Sequence, residues 1–94
     1  MPEALPIAHR AERDRFVMHD GAREVGELIY ARSAGRITIL HTEVAPALRN
    51  AGQAARLVDA AVQWARAQQL KVDARCSYAH GVLARTPAYA DVMA

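Results

Sequence analysis

The chain has 94 residues, enough for one compact domain with one modest core. Its 12 basic and 10 acidic residues leave a formal net charge of +2, and the arginines are dispersed, with Lys71 the lone lysine, so the basic stripe of a nucleic-acid binder is missing. One cysteine, Cys76, allows no intrachain disulfide, and no apolar stretch approaches the length of a membrane span.

Residues 1 to 12 hold two prolines and mixed charge, and they read as a loose lead-in or a first edge strand. They lack a basic region followed by an apolar run, so no secretory signal is expected and a cytoplasmic location is the default. Three strands follow. Phe16 and Met18 alternate with polar neighbours, His19-Asp20-Gly21-Ala22 is a turn, and Val25, Leu28, Ile29 and Tyr30 mark the second strand. After a turn at Ser33-Ala34-Gly35, the β-branched run Ile37 to Val44 forms the third. Such short turns imply an antiparallel meander. His9 and His19 read as surface residues.

The pattern changes at Pro46. From Ala51 to Gln69, Leu57, Val58, Ala61, Val62 and Ala65 recur at helical spacing, which predicts an amphipathic helix of about five turns. LKVDARCSYA is then a short strand, and AHGVLARTPAYADVMA a short helix, a break at Pro87 and a last turn. The third strand, the long helix and the fourth strand make a βαβ unit with the two strands parallel. The predicted fold is α/β: an antiparallel meander leading into a parallel βαβ unit, in a single domain over residues 1–94. No Cys/His cluster has metal-ligand spacing, so no metal is expected.

The loop between strand and helix, Pro46 to Ala54, offers two readings. The first amides of a helix lack partners and attract phosphate, Arg49 adds a fixed charge, and Ala51, Gly52 and Ala54 leave the backbone bare. Alternatively, Asn50 as N-cap and Gln53 form a capping box with no ligand. Gly52 fits the second reading poorly, because a glycine inside the first turn costs up to about 1 kcal/mol relative to alanine.

RNAGQA resembles the Arg/Gln-x-x-Gly-x-Gly/Ala signature of the GNAT-type N-acetyltransferases. In order with His41-Thr42, Cys76-Ser77-Tyr78 and Pro87-Ala88-Tyr89, it is similar to a family of very small GNAT-like proteins, over Arg13 to Met93. Ala51 departs from the family pattern, which often has a second glycine there. The resemblance implies a minimal GNAT-like fold whose third and fourth strands splay apart around the thioester of acetyl-CoA. It implies that Thr42, Val44 and Ala45 lend backbone groups to the pantetheine arm, and that Arg49, Asn50, Ala51, Gly52, Gln53 and Ala54 hold the pyrophosphate. Arg85 either pairs with a coenzyme phosphate or is an exposed helix arginine.

For the chemistry, the resemblance makes Cys76 a candidate at the thioester, as acetyl acceptor or as packing against the sulfur. His41, on the adjacent strand, is the local base. Tyr78 is the candidate acid for the departing thiolate, or else a half-buried anchor for the last helix. Glu43 is either a water-linked base or a solvated charge, and His80 is a weaker candidate. The implied activity is acetyl transfer from acetyl-CoA to a primary amine, by direct transfer or through Cys76. The alternative is a CoA-binding interaction module without catalysis. The tight turn between the first two strands leaves no room for helices that would wall the acceptor side. An open site suits an exposed amine on a protein or peptide, with the chain a monomer or weak homodimer and neither nucleic acid nor membrane as partner.

Overall fold

A computed structural model describes residues 5–49 and 52–94. Four strands run in sequence: β1 (Ile7–Arg10), β2 (Arg15–Asp20), β3 (Arg23–Ser33) and β4 (Arg36–Val44). A 3-10 turn at Pro46–Leu48 leads toward helix α1 (Gln53–Ala67), followed by β5 (Lys71–Ala74), helix α2 (Ser77–Arg85) and a last 3-10 segment, Pro87–Val92. The sheet order is β1-β2-β3-β4-β5, antiparallel except for the parallel pair β4–β5. The α/β architecture expected from the sequence is present, and residues 7–10 take the edge-strand alternative.

Alternation along the strands puts one face of the sheet under α1. Phe16 and Met18 of β2, Leu28 and Tyr30 of β3, and Ile37 and Ile39 of β4 share one core with Leu57, Val58, Ala61, Val62 and Ala65 of the helix. Gly26 marks a close approach within this layer. A Cβ there would lie 3.0 Å from Val44 Cγ1 and 3.3 Å from both the Glu43 carbonyl and Leu57 Cδ1. The opposite face carries Glu27, His41 and Glu43, with Val17 buried among its neighbours on that side.

His9 is not a surface residue, because β1 folds it inward. Its ring stacks on Phe16 at 4.0 Å between centroids and meets Trp64 of α1 edge-on at 4.6 Å. Its Nε2 lies 2.7 Å from the Tyr30 hydroxyl. The chain end is tied down as well. Arg66 grips the Asp91 carboxylate through two bonds of 2.8 Å, and the Tyr89 hydroxyl donates to Asp59 at 2.7 Å. Burial, then the bond to Asp59, pushes the Tyr89 phenol up to about 12. The Pro87-Ala88-Tyr89 motif therefore anchors the C-terminal segment to α1.

Two boundaries and one register differ from the sequence reading. Helix α1 starts at Gln53 and ends at Ala67, inside the expected 51–69. Strand β5 stops at Ala74, and Cys76, Ser77 and Tyr78 begin α2 instead of ending the strand. The third difference lies within β4. Tyr30 pairs with Ile39 and Ile29 with His41, so Leu40 is an extra residue and forms a bulge. Ile37 and Ile39 face the core before it; Thr42 and Val44 face that side after it.

Two measurements test this layer. Gly26→Ala overpacks it, which costs about 1–3 kcal/mol, and about 4–8 °C of Tm is expected for each kcal/mol in a domain of this size; an unchanged Tm would show that β3, β4 and α1 are not in close contact there. Burial holds His9 below its ordinary value of 6.5, against the opposing pull of Glu12 and Asp14. The unfolded chain therefore takes up a proton near 6.5 that the folded chain accepts only at lower pH. This contribution is complete above 6.5 and is lost as pH falls below it. Thermal melts across that window should show Tm falling with pH, with a shallower slope in His9→Phe.

Candidate active site

The site arises where β4 outruns its neighbour. Strand β5 pairs with β4 only from Arg36–Lys71 to Ile39–Ala74. There the Ile39 carbonyl accepts two amides, Arg75 N–H at 2.9 Å and Cys76 N–H at 3.3 Å. The chain then turns into α2, and β4 continues to Val44 with that edge free of any strand among the described residues. The two parallel strands are thus splayed at their carboxyl ends, where ligands of open α/β sheets bind.

A cleft of about 400 Å³ fills the splay. Thr42, Glu43 and Val44 of β4 form one wall, and Leu48 and Arg49 of the loop form another. Gly52, Gln53 and Ala54 close the floor at the start of α1, and Tyr78 overhangs from the first turn of α2. The Thr42 Oγ1 is buried without a hydrogen-bond partner. A buried hydroxyl left unsatisfied is costly, so this wall is chemically incomplete as it stands.

Gly52 is the N-cap of α1, with φ +77°, and not a residue of its first turn. The left-handed conformation explains the glycine directly. Nothing lies within 4 Å of the place a Cβ would take, and Gly52, Gln53 and Ala54, where the first amides of a helix lack intrahelical partners, line the cleft. This corrects the capping-box reading. Gln53 is the first helical residue, and its side-chain oxygen accepts from Arg56 at 3.0 Å. Asn50 and Ala51 lie outside the described residues.

The structure brings together Thr42, Val44, Arg49, Gly52, Gln53, Ala54 and Tyr78 of the expected set. Ala45 lines a neighbouring cavity instead. Arg85 folds back along α2, its guanidinium 2.8 Å from where a Cβ on Gly81 would stand, and it is not among the residues lining the cleft. Cys76 is the half-buried N-cap of α2, packed against the core, with no side-chain capping bond.

His41 is turned away from Cys76. The Leu40 bulge sends its side chain to the outer face, where Nε2 lies 3.1 Å from Glu43 Oε2. On the same face Glu27 lies directly across from Glu43, held on its other side by Arg15 at 3.2 Å. Ligand atoms of Glu27, His41 and Glu43 all lie within 4.8 Å of one another. Sequence reasoning missed this group because its members come from two strands. The signal that could have found it is the broken alternation Ile37, Ile39, Thr42, Val44, which announces the bulge.

The comparisons agree with this geometry. A family model described as GCN5-related N-acetyl-transferase matches residues 15–92. The solution structure of a GCN5-like protein from Staphylococcus aureus is similar, with a TM-score of 0.76 and 29% identity over 99% of this chain and 91% of that one. Nourseothricin acetyltransferase matches at a TM-score of 0.55 and 26% identity, over 68% of this chain and 41% of that one. A GNAT-family protein from Desulfovibrio desulfuricans shares the fold, with a TM-score of 0.60 at 17% identity, over 64% of this chain and 41% of that one. A search of curated proteins finds no match. No helix among the described residues is long and apolar enough to cross a membrane. The cleft at the β4–β5 splay and the family match together establish that the chain belongs to the GCN5-related N-acetyltransferases.

Proposed function

We propose that the chain binds acetyl-CoA in the splay cleft and transfers the acetyl group directly to a primary amine. The observation that carries this reading is the convergence on one cleft of the start of α1 at Gly52 and the free edge of β4. These features fit an extended ligand with phosphates at one end and amides along its length. The amides at the start of α1 and the Arg49 guanidinium would hold the pyrophosphate. The free edge of β4 from Thr42 to Val44 would pair with the amides of the pantetheine arm. Bound acetyl-CoA supplies a thioester carbonyl for attack and a thiolate as leaving group.

The chain's own groups serve the proton traffic. Tyr78 borders the cleft with its side chain exposed and would donate its phenolic proton to the leaving sulfur. Glu43 borders the same cleft and is bonded to His41, a pair suited to accept the proton of the attacking amine. Because His41 turns to Glu43 and not to Cys76, direct transfer is favoured over an acyl-enzyme on the thiol.

Calorimetric titration with CoA and acetyl-CoA tests binding, and turnover against a panel of amines tests transfer. Arg49→Gln is expected to weaken CoA binding about 10-fold, the loss of one charge-assisted contact of roughly 1.5 kcal/mol. Tyr78→Phe is expected to lower kcat about 100-fold, with little change in acetyl-CoA binding. Cys76→Ala should retain turnover. The reading is contradicted if CoA does not bind at millimolar concentration. Binding without turnover on any amine would instead favour a CoA-binding module.

A further inference from the structure

One side chain of α1 links the two ends of the chain order. Arg56, half-buried near the start of the helix, donates from a single nitrogen, Nη1, to two oxygens. One is the Leu5 carbonyl at 2.7 Å, 51 positions away, where the chain enters β1. The other is Gln53 Oε1 at 3.0 Å. A spacing of three residues puts Gln53 and Arg56 on the same face of the helix. Gln53 lines the splay cleft, and Arg56 stands behind it.

The bond to Gln53 fixes a polarity. A side-chain amide has an oxygen that accepts and an NH2 that donates, whereas a guanidinium only donates. Arg56 therefore holds the amide oxygen, and the NH2 is the end left for a ligand. A pyrophosphate offers acceptors, so a donor is what it needs; a flipped amide would present a second acceptor. The bond to Leu5 ties this orientation to the N-terminal strand. Leu5 packs on the core, the Pro6 carbonyl accepts the His19 amide at 2.9 Å, and His9 lies on Phe16 with its Nε2 at the Tyr30 hydroxyl. Residues 5–10 are thus fixed at several points, and through the Leu5 carbonyl they hold the guanidinium beside Gln53.

We infer that Arg56 is a positioning residue for the coenzyme: it keeps the donor end of the Gln53 amide available to the pyrophosphate, and it couples occupancy of the cleft to docking of residues 5–10. This rests on the acetyl-CoA reading and extends that site to β1, the strand at the far edge of the sheet from β5. Arg56 acts through Gln53 and not through its charge alone. Coupling of this kind is reciprocal. Whatever factor the docked strand lends to coenzyme affinity, bound coenzyme returns to the docked strand.

The test titrates CoA, dephospho-CoA and pantetheine into the wild type, Arg56→Leu, Gln53→Ala and the double variant, with amide hydrogen exchange at residues 7–10 as a second readout. Arg56→Leu is expected to weaken CoA and dephospho-CoA alike, by about 5-fold or more. Pantetheine, which has no pyrophosphate, should bind both proteins equally. In the Gln53→Ala background the same substitution should add nothing, because the two residues act as one unit. Saturating CoA should slow exchange at residues 7–10 by a similar factor in the wild type and not in Arg56→Leu. Arg66→Leu removes a guanidinium from the last turn of α1 and controls for stability: Tm should fall while CoA affinity holds. Undiminished CoA affinity in Arg56→Leu overturns the inference, as do additive losses in the double variant or a loss confined to CoA and absent for dephospho-CoA. So does exchange at residues 7–10 that ignores CoA, a wild-type measurement that decides even if Arg56→Leu does not fold. In each of these cases CoA still binds the wild type and the coenzyme reading stands; no wild-type binding at all overturns both.

Discussion

The Ile39 carbonyl decides the architecture. By accepting the amides of both Arg75 and Cys76, it ends the parallel pairing of β4 with β5. Had β5 continued alongside β4, its backbone would fill the edge that Leu40 to Val44 now leaves free. The early end also sends the chain into α2, which brings Tyr78 over the gap. The cleft is thus a consequence of strand length and not of any insertion.

A second constraint acts one residue later. The Leu40 bulge shifts the alternation of β4, so that Thr42 and Val44 face the helix side and His41 and Glu43 face outward. One strand end therefore serves two cavities with different chemistry. The inner one is lined by Thr42, Val44 and the start of α1. The other is lined by Glu24, Glu27 and Glu43 with Val25, Ala45 and Pro46. Glu43 and Val44 are the partition between them.

Much of the fold was legible because its signals are local. The alternation in β2, the two tight turns, and the helical spacing of Leu57 to Ala65 each report on neighbours within a few residues. What escaped depends on distant contacts. His9 resembles a surface residue until β1 lays it on Phe16 and Tyr30, partners that fold to it from elsewhere. Cys76 resembles the end of a strand, since nothing local shows that Ile39 will capture its amide. At Gly52 the sequence showed an anomaly without its cause, for a positive φ is a property of the folded loop. The Glu27–His41–Glu43 group was invisible because its members come from two strands whose register the Leu40 bulge defines.

The central claim is that this splay is a coenzyme site, and amide resonances read it most directly. Titrating acetyl-CoA into isotopically labelled protein should shift the amides of Gly52, Gln53 and Ala54 together with those of Thr42 and Val44, with a response at Tyr78. Shifts confined to other surfaces, or no shifts at millimolar acetyl-CoA, would contradict the account.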